Sequence, residues 1–358
     1  MDKSNVKKLR VSIIQYTRPS TSIALLIFMT DIVIYLAAIT GVIFLENSWL
    51  RIACSLLAGL QISLLFVVAH DAAHDSFTAS KRLNRLIARI SFLPCFHNYS
   101  LWLIAHNRLH HQLTNIKGLN SWSPLSREDY LSMPPWRQRL ERFYRTPAGI
   151  CFDYLIERWW KNKFFPYKRI TGNKRKIALF DFMLVSTWMA VFLSMLIYAG
   201  VSLPHTSVTE VIILGFMVPL LYASFMIGLS VYLQHTHETI PWFKTQEEAM
   251  QKGKPEEVTM HVKFPAWYNL LSHNVMEHTA HHVDPRVPLY NLAKAQGVLN
   301  DILGDKMVTV NFSLQGFLGT MANCKLYDYE NHCWLDFEGN STSRATLVED
   351  HIDYQHAA

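Results

Sequence analysis

Long apolar stretches dominate the hydrophobic pattern of this sequence. A bilayer core roughly 30 Å thick is crossed by about 20 residues of α-helix. Four stretches approach or exceed this length with few formal charges: residues 23–45, 52–69, 177–201 and 208–233. Within each pair only a short turn intervenes, residues 46–51 in the first and residues 202–207 in the second. The pattern therefore predicts two transmembrane hairpins.

Polar segments before, between and after the hairpins make up the rest of the chain. They are a basic N-terminus (1–22), a middle segment (70–176), a third segment (234–324) and an acidic tail (325–358). Lysine and arginine are plentiful in the first two segments, whereas Arg51 alone carries a positive charge in the short turns. By the positive-inside rule, both termini and the polar segments between hairpins are expected to be cytoplasmic. No organelle-targeting signal is visible, so we expect a multi-pass protein of a bacterial inner membrane.

Composition narrows the class of protein and of partner. Half of the 358 residues are hydrophobic and 17% are charged, which excludes a disordered chain. The five cysteines include no C-x-x-C pair, which argues against a disulfide framework or a zinc ribbon. No nucleic-acid-binding motif accompanies the basic residues, so membrane lipids and not nucleic acid are the expected partner. Aromatic residues interleave with these charges, as is typical of a surface on lipid head groups: Trp136, Trp159, Trp160, Phe164, Phe165 and Tyr167.

Three histidine clusters are the strongest chemical signal in the sequence. Residues three or four apart on a helix share a face, so the rings of each cluster can converge. All three clusters lie in segments expected on the same side of the membrane, where they can meet. A typical metal site closes with about four ligands, so the combined set is large enough for two ions. The clusters comprise His70 and His74; His106, His110 and His111; and His278, His281 and His282.

The clusters alone leave the metal and its role open. Imidazole suits iron, copper, nickel and zinc. Neither the Glu-x-x-His pairs of soluble di-iron bundles nor an H-E-x-x-H motif occurs. Two redox-active metals beside a membrane favour activation of O₂. A histidine-rich metal transporter is the alternative, but it predicts ionisable groups at mid-bilayer, where Asp31 and Gln61 are nearly the only polar candidates.

Four sequence segments closely resemble the histidine boxes and flanks of membrane fatty acid desaturases, especially the bacterial and plastid acyl-lipid branch. They are HDAAHDSF, HNRLHHQLTN, LQHTHETIPWF and HNVMEHTAHHVDPRVPLYNL. The second box has three residues between its first histidine and its histidine pair, where many members have two. The resemblance implies an all-α membrane protein with four transmembrane helices in two hairpins and a cytosolic helical cap that holds a di-iron centre. All eight clustered histidines would then be iron ligands and catalytic.

Further ligands and carboxylates are expected around that centre. Related desaturases supply an isolated ligand from the end of their fourth membrane helix, which makes His235 the expected ninth ligand. His273 lies off the helical face of the third cluster, and His237 lies off the face of His235, so both are weaker candidates. Asp71 and Asp284 are candidates to orient a ligating imidazole.

The resemblance implies O₂-dependent desaturation of a fatty acyl chain, with electrons from an external donor such as ferredoxin. Hydroxylation, formation of an acetylenic bond and decarboxylation to a terminal alkene are alternatives, because related enzymes perform them at the same kind of site. Chain length, double-bond position and head group (lipid, CoA, carrier protein or free acid) stay open.

Overall fold

Helices form most of the molecule. The computed structural model describes residues 3–106, 114–119 and 122–347. In chain order the α-helices are α1 Lys3–Ile13, α2 Thr21–Phe44, α3 Ser48–Ala73, α4 Lys81–Phe92, α5 Tyr99–Leu103, α6 Arg127–Leu131, α7 Pro135–Tyr144, α8 Gly149–Phe152, α9 Lys168–Thr171, α10 Arg175–Ser202, α11 Val208–Ile212, α12 Val218–His235, α13 Gln246–Lys252, α14 Pro255–Val258, α15 Ala266–Leu271, α16 His278–Val283, α17 Leu289–Leu303 and α18 Leu314–Asn323. The strands are β1 His261–Lys263, β2 Thr309–Asn311, β3 Leu326–Asp328 and β4 Cys333–Leu335.

Four helical segments are long and apolar enough to cross a membrane. Helices α2 and α3 form one hairpin, and α10 pairs with the segment Val208–His235 in the other. This last segment consists of α11, a π-helical turn at Ile213–Met217, and α12. Pro219 has no N–H to donate, and the wider π turn ends two residues before it. Helix α3 lies between α2, α4 and α12 and contacts all three.

The two hairpin turns lie together at one end of the bundle because Arg51 joins them. Its buried guanidinium donates to the Val42 carbonyl at 2.9 Å and to the Thr206 hydroxyl. Asn47 caps α3 by accepting from two backbone N–H groups, and Ser207 forms a capping box at the start of α11. Since α3 and the segment Val208–His235 both start at this end, their last residues reach the opposite end together.

Short helices at that opposite end form a cap over the bundle. Helix α17 packs against α1, α16 and α3, so it links the N-terminus to the bundle. Buried polar pairs reinforce the junction: Arg89 of α4 donates to Asp181 of α10 at 2.7 Å, and Asp181 also accepts from the Ser100 backbone. Apolar residues of bundle and cap form one continuous core.

Strands contribute only two small ladders among the described residues. Strands β1 and β2 are parallel, and β3 and β4 are antiparallel. The second ladder lies in the acidic tail, where Tyr327 and Trp334 are buried in a small apolar cluster. Strand β1 contacts the bundle helix α12.

The aromatic residues predicted to lie on head groups divide into an exposed set and a buried set, and Phe165 is half-buried. Trp136, Trp160 and Tyr167 are exposed, as the interfacial pattern predicts. The prediction is wrong for Trp159 and Phe164, which are buried. Trp159 donates to the Phe96 carbonyl at 2.6 Å, because the π-helical segment Asp153–Phe164 turns this side chain inward.

The architecture confirms the predicted fold class of an all-α membrane protein. Two hairpins supply four candidate membrane-spanning helices, and a helical cap covers the ends at which clustered histidines lie. Helix α3 continues beyond the predicted span to Ala73 and therefore carries the first cluster into the cap without a break.

Candidate metal centre

The first cluster is positioned by the end of α3. His70 lies in the last turn of that helix, and His74 is its C-terminal cap. One helical turn separates them, so both rings point to the same side, with centroids 4.9 Å apart. Since the apolar faces of α3 are buried in the bundle, packing of the whole helix fixes the height of both rings.

The second cluster contributes His106 to the same place. Trp102, one helical turn earlier, is buried and stacks on the His106 ring at 4.3 Å between centroids. The His106 ring then lies 4.6 Å from that of His70 and 5.1 Å from that of His74. His110 and His111 lie outside the described residues.

The third cluster lies on the short, buried helix α16. At 100° per residue, His281 and His282 project to opposite sides of His278. The His281 ring lies 4.5 Å from that of His70, whereas the His282 ring lies 5.1 Å from that of His235. This cluster is therefore divided between two neighbouring groups.

His235, the last residue of α12, anchors the second group. Its Nε2 lies 2.9 Å from Nε2 of His278. Its Nδ1 lies 3.2 Å from the Val258 carbonyl, to which an Nδ1–H donates. That hydrogen bond leaves the Nε2 lone pair facing the other rings of the group.

Two histidine groups thus adjoin at α16, and in each the candidate ligand atoms lie within 4.8 Å of one another. Nitrogens bound to one ion at about 2.1 Å lie roughly 3 to 3.5 Å apart, so small movements would bring each group onto a single ion. All-imidazole donors fit iron as they fit copper, nickel or zinc. The first group is His70, His74, His106 and His281, and the second is His235, His278 and His282.

The two carboxylates singled out from the sequence behave differently. Asp71 is buried, and its Oδ1 accepts from Nδ1 of His70 at 3.2 Å while its Oδ2 accepts from the Leu289 backbone. This contact holds the proton on Nδ1 and leaves Nε2 of His70 for the group. Asp284 is equally buried, but both its oxygens accept from Arg286, at 2.9 and 2.7 Å.

Two other histidines considered as ligands lie in neither group. His273 has a left-handed backbone conformation (φ 55°), and its Nε2 lies 2.7 Å from an Asp31 carboxylate oxygen. Asp31 is buried within α2, so this pair explains a carboxylate to which the sequence assigned no role. His237 bonds to the Thr239 hydroxyl at 2.9 Å and lies 3.4 Å from Glu238.

Sequence reasoning missed two groups that contact the candidate ligands. Trp102 lies four residues before His106, so helical spacing contained a signal for their stacking. The Val258 carbonyl that orients His235 is separated from it by 23 residues, and no spacing rule indicates that contact.

A cavity of about 570 Å³ passes the histidine groups. His70, His106, His278 and His281 form part of its wall. Below them, apolar side chains of α3 and α12 continue the wall towards mid-bundle, among them Leu60, Leu64, Val67, Met226 and Ile227. The volume is typical of a site for an elongated small molecule, and its lining suits a hydrocarbon.

The π-helical segment Asp153–Phe164 contributes the polar side chains of Tyr154 and Lys163 to the wall of the same cavity, and His97 lies beside both. His97 donates from Nδ1 to the Cys95 carbonyl at 2.6 Å and accepts at Nε2 from the Tyr154 hydroxyl, at 2.8 Å. Burial, together with the charge of Lys163, lowers the pKa of His97 to about 3, so this ring is neutral. Burial and the nearby Arg158 lower the pKa of Lys163 to about 8.

Comparison with known proteins gives an independent view of the whole arrangement. The family model described as fatty acid desaturase matches residues 47–313. The chain is 26% identical over 280 residues to the chloroplastic omega-6 fatty acid desaturase of Spinacia oleracea, with 78% of this chain and 60% of the relative covered. It thus spans less than two thirds of the length of the plant relatives.

Cyanobacterial relatives are covered more fully. The chain is 25% identical over 288 residues to the sn-1 oleoyl-lipid 12-desaturase of a Picosynechococcus strain, with 78% of each chain covered. It is 29% identical over 254 residues to the sn-1 acyl-lipid omega-3 desaturase (ferredoxin) of a Synechocystis strain, with 70% of this chain and 67% of the relative covered.

Proposed function

Since the chain belongs to the fatty acid desaturase family, we propose that it is an integral-membrane di-iron enzyme that uses O₂ to introduce a double bond into a fatty acyl chain. One observation supports this most directly: two adjoining all-histidine groups form part of the wall of a largely apolar cavity. The cavity provides the place for a hydrocarbon chain, and the groups provide the place for two ions beside it.

We assign one iron to each group. His70, His74, His106 and His281 would hold the first, and His235, His278 and His282 the second, with His110 and His111 completing the set expected from the sequence. Bound there, two irons supply the oxidising chemistry with O₂ that removes hydrogen from unactivated carbons. Asp71 keeps the proton on Nδ1 of His70, and the cavity wall orients the chain and excludes water.

The balance of the reaction requires an external reductant. Desaturation removes two hydrogens from the substrate and reduces one O₂ to two waters, so two electrons and two protons come from elsewhere. We infer that an acidic carrier such as ferredoxin supplies the electrons, as the name of one relative states for that protein. The exposed basic residues Lys161, Lys168, Lys174, Arg175 and Lys176 form a suitable surface for it.

The decisive experiment compares products and iron content in histidine variants. We expect altered fatty acids in the membranes of an expressing host and two irons in the purified protein. His281→Ala and His282→Ala should each lose oxidation and weaken a different iron, whereas His237→Ala, which alters neither group, should retain both. Full activity in either of the first two variants would refute the shared site.

Product analysis also separates the alternatives. Detection of hydroxylated acids, acetylenic acids or terminal alkenes as products would mean that the same centre performs another oxidation and not desaturation. Labile metal without O₂ consumption would instead indicate a metal transporter.

Electron delivery has its own test. Lys174→Glu with Lys176→Glu should lower ferredoxin-supported turnover at low ionic strength and leave turnover with a chemical reductant unchanged. Lys252→Glu, an exposed lysine elsewhere in the cap, is the matched control. An equal loss with both electron sources would disprove docking at this surface.

We also propose a bacterial inner membrane as the location, with both termini and the histidine groups cytoplasmic. In a background without the native cysteines, Glu46→Cys at the hairpin turn should react with an impermeant reagent added outside the cell. Ala345→Cys in the tail should react only after permeabilisation. The reverse pattern would overturn the orientation.

A further inference from the structure

A pair of cations lies at one end of the apolar cavity. Arg158, Asn162 and Lys163 all line it and all come from the π-helical segment Asp153–Phe164. Because π-helical hydrogen bonds run from residue i to i+5, residues four or five apart lie on one side of the helix. The three polar side chains therefore share one face, and that face is turned to the cavity. Asn162, Gly118 and Leu119 are exposed, so the cavity opens at this end.

The charges at this opening do not cancel. Arg158 donates to Asp153 at 3.3 Å, and the nearby Glu141 and Arg145 pair with each other at 3.0 Å. The Lys163 ammonium lies 5.4 Å from the centre of the Tyr154 ring. Among the residues that the structure describes, no carboxylate lies within ion-pair distance of Lys163. With His97 neutral, one positive charge remains in surplus beside the apolar cavity.

Burial of an uncompensated ammonium is unfavourable, which the lowered pKa of Lys163 reflects. An anion at this position would offset the cost by forming a charge-assisted hydrogen bond. The rest of the lining is mainly apolar, so a ligand that satisfies both ends is a hydrocarbon chain with an anionic end group.

We propose that Lys163, with Arg158 beside it, forms an oxyanion site at the opening of the cavity that binds the anionic end of the acyl substrate. The oxyanion is either the carboxylate of a free fatty acid or the phosphate of an acyl lipid. The chain then passes the histidine groups and ends among the apolar residues of α3 and α12. Leu60 lies ten residues before His70 on α3, about 15 Å along the helix at 1.5 Å per residue. This inference rests on the proposed function only in identifying the bound hydrocarbon chain as that of the acyl substrate.

Ligand binding tests the site without turnover. Full-length protein in an uncharged maltoside detergent, without reductant, is titrated with two matched pairs of ligands. The first pair is hexadecanoic acid and its methyl ester, and the second is phosphatidylglycerol and diacylglycerol. We expect one anionic ligand to bind about tenfold or more tightly than its neutral partner, since a hydrogen bond to a charged group contributes about 1.5–3 kcal/mol. The pair that shows the preference identifies the carboxylate or the phosphate as the oxyanion.

Variants then locate the preference. Lys163→Met should abolish it while leaving the neutral ligand unaffected, and Lys163→Arg should retain it. Lys161→Met is the matched control, because Lys161 lies on the same segment but is exposed and pairs with Glu157 at 2.9 Å. Equal binding of both members of each pair to the unmodified protein would overturn the proposal, and this result needs no variant to fold. A preference that persists in folded Lys163→Met protein would do the same.

The outcome is separable from the proposed function. An anion preference that depends on Lys163, found in a protein that leaves host fatty acids unchanged, would support the oxyanion site and contradict desaturation. Desaturation by a protein without the preference would overturn the oxyanion site alone.

Discussion

Asp71→Asn tests how strongly the contact between Asp71 and His70 stabilises the proposed iron site. The carboxylate is 1% exposed, accepts from Nδ1 of His70 at 3.2 Å and accepts from the Leu289 backbone. Asparagine preserves the shape and one acceptor, which the backbone N–H requires. The amide group of the asparagine can take two orientations. In one, its NH₂ faces the Nδ1–H of His70, so two donors oppose each other. In the other, its oxygen faces the Nδ1–H but is an uncharged acceptor.

Loss of such an outer partner typically lowers metal affinity 10–100-fold, which corresponds to about 1.4–2.8 kcal/mol. We therefore expect iron in the group of His70 to bind 10–100-fold more weakly, while the group of His235 is unaffected. Anaerobic competition between the purified protein and a chelator measures both affinities.

Asp284→Asn is the matched control, because Asp284 is equally buried but binds Arg286 and no imidazole. Unchanged iron affinity in Asp71→Asn, or an equal loss in Asp284→Asn, would refute the reasoning.

Three further predictions concern stability. His273→Ala should keep both irons but lower the thermal midpoint, because removing one partner of its buried pair with Asp31 costs about 3–5 kcal/mol. Adding Asp31→Ala should recover part of that loss. Loss of iron from His273→Ala would contradict the assignment of His273 to a structural pair. Burial lowers the pKa of His97 from 6.5 to about 3, so the unfolded chain takes up a proton at a higher pH than the folded protein does. The free energy of unfolding should therefore be independent of His97 above pH 6.5 and should fall by at most about 1.4 kcal/mol per pH unit between pH 6.5 and pH 3. Thermal unfolding of His97→Phe should lack this slope. Gly59→Ala should separate α3 from α12, because a Cβ at this position lies 2.9 Å from an α12 side chain. Gly297→Ala should be neutral, because a Cβ there meets nothing within 4 Å. Equal thermal midpoints and equal iron contents in the two variants would disprove this reasoning.

The proposed centre depends on packing between helices that are distant in sequence. Helix α3 carries His70, and α12 carries His235, and the two helices are in extensive contact through the bundle. A short helix, α16, supplies ligands to both sides. A change in the α3–α12 contact would therefore alter the distance between the groups and the width of the cavity together.

The sequence by itself determined the features that depend on local pattern. The length of each apolar stretch is enough to predict the four spans, because the bilayer sets the required helix length. Spacings of three and four residues predict which rings share a helix face, as His70 and His74 do. His235 is expected as the ninth ligand because it follows the fourth span and because related desaturases supply a ligand from that position; its ring is grouped with those of His278 and His282.

Only the tertiary structure decided how these residues are combined. His281 and His282 are neighbours in the chain, yet they join different groups, because His281 meets His70 at the end of α3 and His282 meets His235 at the end of α12. His273 pairs with Asp31 at a separation of 242 residues, and Lys163 lines a cavity whose apolar wall comes from α3 and α12, which lie far away in sequence. Trp159 lies in a stretch whose composition is typical of the membrane interface, but its π-helical segment buries this side chain. Periodicity reports which side of its own helix a residue occupies, whereas these contacts depend on the relative placement of several helices, which packing of the whole core determines.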